Sequence, residues 1–397
     1  MIKAVFCVPA IMLGLAASLL LTSFQQSPEG AQDIIRVPIN LEGGHPSVQV
    51  WFEGQNEPFN MVLDTGSSRT VVFASAAERI PSYNADEEFV QLDTFLGQRS
   101  LPVGPAIRVR VDDLSPHARL VAPLYYLSAA EMPEFDGYIN QYDGILGMDA
   151  FAGAFIGLEW NSSSTLHVAY MVDPLEPHVP ILPPVSVRIN SQDVACLADT
   201  GMGARPGLIV RATAPGASEI ISTEARSLVR PSSLTPTISV RRVMADVELS
   251  GVEHAMIVDV EVARASQGLP RGPTCILGRS AMASMQLTLD LVRSVSFARH
   301  LRGPDLSYNR AGISGVGFDT GSGEVVVAGI DPGSAAEEVG ILVGDEIIAV
   351  NGLPLSLTGL TALREALYAP AGTESVFKIR RAGEDFDVAI SLREMLN

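Results

Sequence analysis

Between residues 31 and 300 the apolar positions come in short runs or alternate with polar ones, and few stretches carry a helical repeat. Val48-Gln49-Val50-Trp51-Phe52 and Val185-Ser186-Val187-Arg188-Ile189 are short β-type runs of this kind, and each leads into a polar turn. A mainly β body is the expectation. Two stretches punctuate it. Residues 172–184 hold Pro174, Pro177, Pro180, Pro183 and Pro184, and residues 302–312 are rich in Gly, Pro, Asp and Asn, so both read as linkers. Beyond the second the pattern changes to a strand over 324–328 and a helix near 360–367. The expected organisation is a leader over 1–30, β units over 31–175 and 176–302, and an α+β unit over 308–397.

The two β units repeat one another. The first runs from a strand through a turn at Gly54-Gln55-Asn56 to Met61-Val62-Leu63, then Asp64-Thr65-Gly66, then Val71-Val72-Phe73. The second runs through a turn at Asn190-Ser191-Gln192 to Cys196-Leu197-Ala198, then Asp199-Thr200-Gly201, then Leu208-Ile209-Val210. Each Asp-Thr-Gly is followed, about eighty residues later, by an apolar pair and a glycine: Ile145-Leu146-Gly147 and Ile276-Leu277-Gly278. A single Asp-Thr-Gly is an ordinary turn sequence. Two copies with matched partners are a constellation.

Composition narrows what the constellation can do. The chain has 397 residues, 47% of them hydrophobic, which is enough for two or three cores. A formal net charge of -18, with Lys3 and Lys378 the only lysines, excludes a nucleic-acid footprint and disfavours an anionic substrate. Residues 4–21 carry no charge and follow Lys3, so the N-terminus reads as an export signal, either removed or kept as a membrane anchor. Both outcomes place the rest of the chain outside the cytoplasm. The six histidines show no metal-ligand spacing, no Gly-x-Ser-x-Gly is present, and Asn161-Ser162-Ser163 is a glycosylation sequon only in a host that uses one.

Two carboxyls brought together have a definite chemistry. Sharing one proton, they supply a base that activates water and an acid for the leaving amine, and they titrate as a unit. Aspartic proteases are the established example of such a pair. The repeated Asp-Thr-Gly and apolar-apolar-Gly blocks resemble the aspartic peptidases of the pepsin and retroviral type, over roughly residues 35–300. The short lobes look more like the compact retropepsin-like fold, duplicated in one chain. The resemblance implies that Asp64 and Asp199 are catalytic, and that Thr65, Gly66, Ser67, Thr200 and Gly201 shape their loops. It implies that Ile145, Leu146 and Gly147, with Ile276, Leu277 and Gly278, form the floor beneath them. Covering hairpins are expected within 88–106 and 224–248, and no cofactor or metal is implied.

The same resemblance sets expectations for individual residues. Ser67 is expected to donate to the Asp64 carboxylate, whereas Met202, in the matching place of the second loop, cannot, so the proton is expected more often on Asp199. Arg69 and Asp149 either form an ion pair bracing the first loop or face water. The family fold sets the strands of Cys196 and Cys275 side by side, where the two thiols either pair or stay reduced.

In the last unit, Gly315-Val316-Gly317-Phe318, Asp331-Pro332-Gly333-Ser334-Ala335-Ala336 and Gly344-Asp345-Glu346-Ile347-Ile348-Ala349-Val350-Asn351-Gly352 occur in order. They resemble the PDZ domains of bacterial peptidases. That implies a groove in which the amides of Gly315, Val316, Gly317 and Phe318 receive a peptide C-terminus. The function expected is an exported endopeptidase acting on peptides or proteins, membrane-tethered if the leader is retained. The alternative is a catalytically inactive peptide-binding or scaffold protein of the cell envelope.

Overall fold

The structure is a computed structural model that describes residues 34–394, apart from 42–44, 81–88, 95–96, 112–117, 127–141, 161–163, 172–175, 202–206, most of 212–225, 231–237, 262–273, 283–284, 301–311, 320–323, 332 and most of 356–368. The leader, most of the second linker, Met202 and the sequon at Asn161 lie outside the described residues. The chain is mainly β, in two curled sheets, one shared sheet and a C-terminal domain.

The first curled sheet runs Arg119–Val121, Ile107–Arg110, Ser47–Phe52, Phe59–Leu63, Gly144–Leu146, Val71–Phe73, Leu124–Tyr126. The second runs Pro184–Ile189, Gln192–Asp199, Cys275–Gly278, Leu208–Val210, Val252–Glu261, Ile238–Leu249, Arg226–Arg230, and a further pairing of Pro184–Ile189 with Ile238–Leu249 curls it onto itself. The repeat is visible in their centres. In both, the strand entering the Asp-Thr-Gly loop lies parallel to the apolar-apolar-Gly strand, which then lies antiparallel to the strand leaving the loop. Central strands covered on both faces read as unbroken apolar runs, and Gly144–Leu146 and Cys275–Gly278 are buried at every position. Peripheral strands alternate, as in Pro184–Ile189, where every second residue is buried. The turn that follows holds Asn190 and Ser191 at φ 45° and 69°, the left-handed pair that closes a tight hairpin.

The lobes are not two separate cores. Ala154–Glu159 of the first pairs antiparallel with Met285–Asp290 of the second, in the middle of a five-stranded sheet completed by Ile35–Pro38, Thr165–Tyr170 and Val295–His300. Side chains from both lobes merge into one hydrophobic cluster, from Ile35 to Leu291. The shared sheet lets the lobes face one another without a partner subunit.

Cys196 and Cys275 stand opposite each other in the parallel pair and are joined by a disulfide, with Cα atoms 4.3 Å apart and both side chains buried. The bond ties the strand that ends at Asp199 to the strand beneath it.

The C-terminal domain has its own core around Phe377, Ile379 and Ile390. Its sheet runs Val316–Asp319, Val326–Ile330, Glu346–Val350, Glu374–Arg381, Glu384–Ser391. Ser334 caps the short helix Ala335–Glu338, accepting from the Glu337 amide, while Glu337 accepts from the Gly333 amide. Leu363, Ala366 and Leu367 are helical and buried, spaced as one helix face. Asp345, 1% exposed as a side chain, takes a two-pronged hydrogen bond from Arg381 at 2.6 and 2.7 Å.

The disulfide closes a loop of 79 residues, so replacing both cysteines by serine is expected to lower stability by about 2–5 kcal/mol. A denaturation curve with its midpoint shifted down and its slope unchanged is the expected result.

Candidate active site

Asp64 follows Phe59–Leu63 directly and Asp199 ends Gln192–Asp199, so each sits where a central strand leaves its sheet. The shared sheet turns these two ends toward each other. Asp64 and Asp199 are half-buried, whereas Thr65 and Thr200 are fully buried beneath them.

The two threonines bind the loops reciprocally. The Thr65 hydroxyl donates to the Ala198 carbonyl at 2.8 Å and accepts from the Thr200 amide at 3.2 Å. The Thr200 hydroxyl donates to the Leu63 carbonyl at 2.5 Å and accepts from the Thr65 amide at 3.0 Å. Each hydroxyl uses its donor and an acceptor on the opposite lobe, so neither loop can shift without orphaning a buried polar group. The glycines permit the closeness. A Cβ on Gly66 would lie 2.7 Å from Cγ of Asp199, and one on Gly201 would lie 2.7 Å from Cγ of Asp64. Each loop thus lays bare backbone against the other lobe's carboxyl.

The carboxyls are hydrogen-bonded to each other, and the Gly66 amide donates to Oδ1 of Asp64 at 2.8 Å. Burial holds the Asp64 carboxyl above its ordinary range, against the pull of the Gly66 amide, the Asp199 hydrogen bond, and the Ser67 and Gly201 amides. The Ser67 expectation is therefore corrected. Its hydroxyl donates to the Arg69 carbonyl at 2.7 Å, and it is the backbone amide of Ser67 that favours the Asp64 carboxylate. A turn as tight as this one aims amides inward and side chains along the loop.

The floor strands stand where the repeat set them. Leu146 pairs with Leu63 and Gly278 with Asp199. A Cβ on Gly147 would lie 2.3 Å from the Arg69 backbone, so only glycine lets the loop rest on the floor. Arg69 and Asp149 are not joined as an ion pair. The Asp149 carboxylate instead accepts from the Thr70 hydroxyl at 2.6 Å, the Thr70 amide at 3.0 Å and the Ala150 amide at 3.0 Å, with Arg69 acting only through its charge. Thr70 was missed in the sequence, although a threonine between a catalytic-type loop and an apolar strand, with an aspartate inside the apolar run at 145–151, was the available signal.

Hairpins occupy both segments expected to cover the cleft: Phe89–Thr94 with Gly97–Pro102, and Arg226–Arg230 with Ile238–Leu249. Their turns, 95–96 and 231–237, lie outside the described residues. In the C-terminal domain Val316–Asp319 is the end strand of its sheet, but the amide of Val316 donates to the Ser314 hydroxyl at 3.1 Å. One of the four loop amides expected to be open is thus already engaged. Among the described residues no group of His, Cys, Asp or Glu is placed to hold a metal ion, and no helix is long and apolar enough to cross a membrane.

Two facing Asp-Thr-Gly loops over paired floor strands define an acid-protease architecture. Comparison with protein families agrees with it: an aspartyl protease family model matches residues 48–150, and a PDZ domain model matches residues 326–381. The chain therefore carries an aspartyl protease domain and a C-terminal PDZ domain. No curated protein matches it. The protease match spans the first lobe; the second is assigned on the internal repeat and on the strand register.

Two measurements check the site. Thr200→Val removes the hydroxyl that serves Leu63 and Thr65, and is expected to cost about 2–4 kcal/mol, with Thr200→Ser close to wild type in the same unfolding assay. Asp149, 3% exposed, is pushed up from 3.8 to about 6 by burial. The folded protein holds this proton more tightly than the unfolded chain, so its contribution to stability is largest at acid pH and falls as pH rises. Relative to Asp149→Asn, wild-type stability is expected to fall by roughly 3 kcal/mol between about pH 4 and 6 and then level off.

Proposed function

We propose that this protein is an exported aspartic endopeptidase in which Asp64 and Asp199 activate a water molecule and cleave a peptide bond. The observation that carries the reading is the reciprocal threonine lock, which holds two mutually hydrogen-bonded carboxyls where the loops of the two lobes meet. A merely structural turn needs no such arrangement twice. The pair carries one proton. The ionised carboxylate takes a proton from water as the oxygen attacks the peptide carbon, while the protonated partner gives its proton to the carbonyl oxygen. In the second half the proton passes to the amide nitrogen, the C–N bond breaks, and the pair returns to its single-proton state. Burial raises the Asp64 carboxyl against the pull of the Gly66, Ser67 and Gly201 amides, so the pair keeps its proton above the ordinary aspartate range.

An extended substrate lies between the lobes as an added strand, under the hairpins at 89–102 and 226–249. The PDZ domain binds a peptide or protein terminus along the free edge of Val316–Asp319, with the loop of Gly315, Val316, Gly317 and Phe318 at its head. Export is supported by the uncharged leader and by the buried disulfide, a bond favoured in oxidising compartments.

The test is cleavage of a diverse peptide library across about pH 3 to 8 by the wild type, Asp64→Asn and Asp199→Asn. Either substitution is expected to lower kcat by at least about 10²–10⁴-fold. Because burial raises the Asp64 carboxyl, the wild type is expected to keep activity well above the ordinary aspartate range. Substantial cleavage by either variant would sink the mechanism. A folded wild type that binds but never cleaves these peptides would identify a peptide-binding protein.

A further inference from the structure

Asp149 is a buried ionisable side chain to which the proposed chemistry gives no task. Asp149 lies in the short turn Met148–Phe151 directly after the first floor strand, and its partner Thr70 ends the loop that begins at Asp64. That loop is attached to the floor at three points. At its start the Asp64 amide donates to the Leu146 carbonyl at 3.1 Å, and in its middle the Met148 amide donates to the Ser67 carbonyl at 2.9 Å. At its end every polar group of Thr70 is engaged. Its amide and hydroxyl donate to Asp149, its hydroxyl oxygen accepts from the Gly147 amide at 3.3 Å, and its carbonyl accepts from the Leu124 amide at 2.8 Å. Only the attachment at Thr70 depends on a group that can change its charge.

We propose that Asp149 is a positioning residue for Asp64: its buried carboxylate, through Thr70, latches the loop 64–70 onto the floor of the first lobe. The catalytic consequence rests on the aspartic peptidase reading; the latch itself does not. Three donors converge on this carboxylate, two from Thr70 and one from Ala150, which is the pattern of an acceptor with no proton of its own. Burial holds this carboxyl up at about 6, against the pull of the three donors and of the Arg69 charge. Other ionisable groups border the turn. Arg119 lies on Arg119–Val121, packed against the turn with its guanidinium 3.8 Å from the centre of the Tyr170 ring. The Tyr170 hydroxyl donates to the Ala150 carbonyl and is held far above its ordinary value by burial. Asp64 itself stands at the far end of the loop.

The second lobe is built differently. Two residues beyond Gly278, where the first lobe has Asp149, the chain has Ser280, and the strand entering the Asp199 loop is instead tied down by Cys196–Cys275. The carboxylate latch therefore belongs to the first half-site alone.

The experiment compares the full chain with its Asp149→Asn and Thr70→Val variants by peptide cleavage against pH and by hydrogen exchange of residues 64–70, corrected for the intrinsic pH dependence of exchange. Asp149→Asn is expected to lower kcat about tenfold to a hundredfold at neutral pH with KM little changed, the scale of a small misplacement of a reacting group. In Asp149→Asn the protection of 64–70 falls together with kcat, whereas the shared sheet keeps wild-type protection. Thr70→Val, which keeps the carboxylate and loses the hydroxyl, shows the same change in smaller degree and serves if Asp149→Asn does not fold. An Asp149→Asn protein with wild-type kcat, or protection of 64–70 indifferent to substitution, overturns the proposal. A wild type that cleaves nothing refutes the peptidase reading, and the exchange measurement then decides the latch alone.

Discussion

Two threonine hydroxyls, buried at the meeting of two lobes, hold this structure's centre in place. Each donates to a backbone carbonyl of the opposite lobe and accepts an amide from it, so the four bonds form a closed exchange across the interface. Its strength comes from burial. A hydroxyl 0–1% exposed has no water to turn to, and each lost partner leaves an unsatisfied polar group in a low-dielectric interior. Because the carboxyls are one residue before these threonines, the lock also sets the separation of Asp64 and Asp199. Two carboxyls held close together cannot both ionise cheaply, which is the physical basis of the shared proton proposed for this pair.

The lock has to be presented by something rigid. The parallel pairing beneath each loop fixes the direction in which Asp64 and Asp199 leave their strands, and the sheet joining Ala154–Glu159 to Met285–Asp290 fixes how the lobes face each other. The lobes brace their loops by different means. Hydrogen bonds from Thr70 to a buried carboxylate hold the first, and a covalent bond between Cys196 and Cys275 anchors the strand beneath the second. A repeated fold therefore braces its two loops by unlike chemistry, hydrogen bonds to a carboxylate in the first lobe and a covalent bond in the second.

The PDZ domain stands on separate ground. Its core is distinct from the merged core of the lobes, its Asp345–Arg381 pair is internal, and its end strand Val316–Asp319 offers an edge to a peptide. The Ser314 hydroxyl has already taken the Val316 amide, so the peptide terminus proposed to bind here would rely on the remaining loop amides and on the strand edge itself.

Much of this was legible in the sequence, because much of it is local or repeated. Alternation and apolar runs marked the strands, turn residues such as Asn190 and Ser191 marked the hairpins, and two Asp-Thr-Gly units with matched floor strands marked the pair at Asp64 and Asp199. These signals survive because hydrophobic period and turn chemistry are properties of neighbouring residues. What only the tertiary structure decided involves partners far apart in the chain. It assigned the Ser67 hydroxyl to Arg69 and the Ser67 amide to Asp64, gave Asp149 to Thr70 across 79 positions, paired Cys196 with Cys275, and merged two cores through one sheet. Which donor meets which acceptor is set by strand register and by the angle at which a loop leaves its sheet. Neither is written in the spacing of residues along a chain.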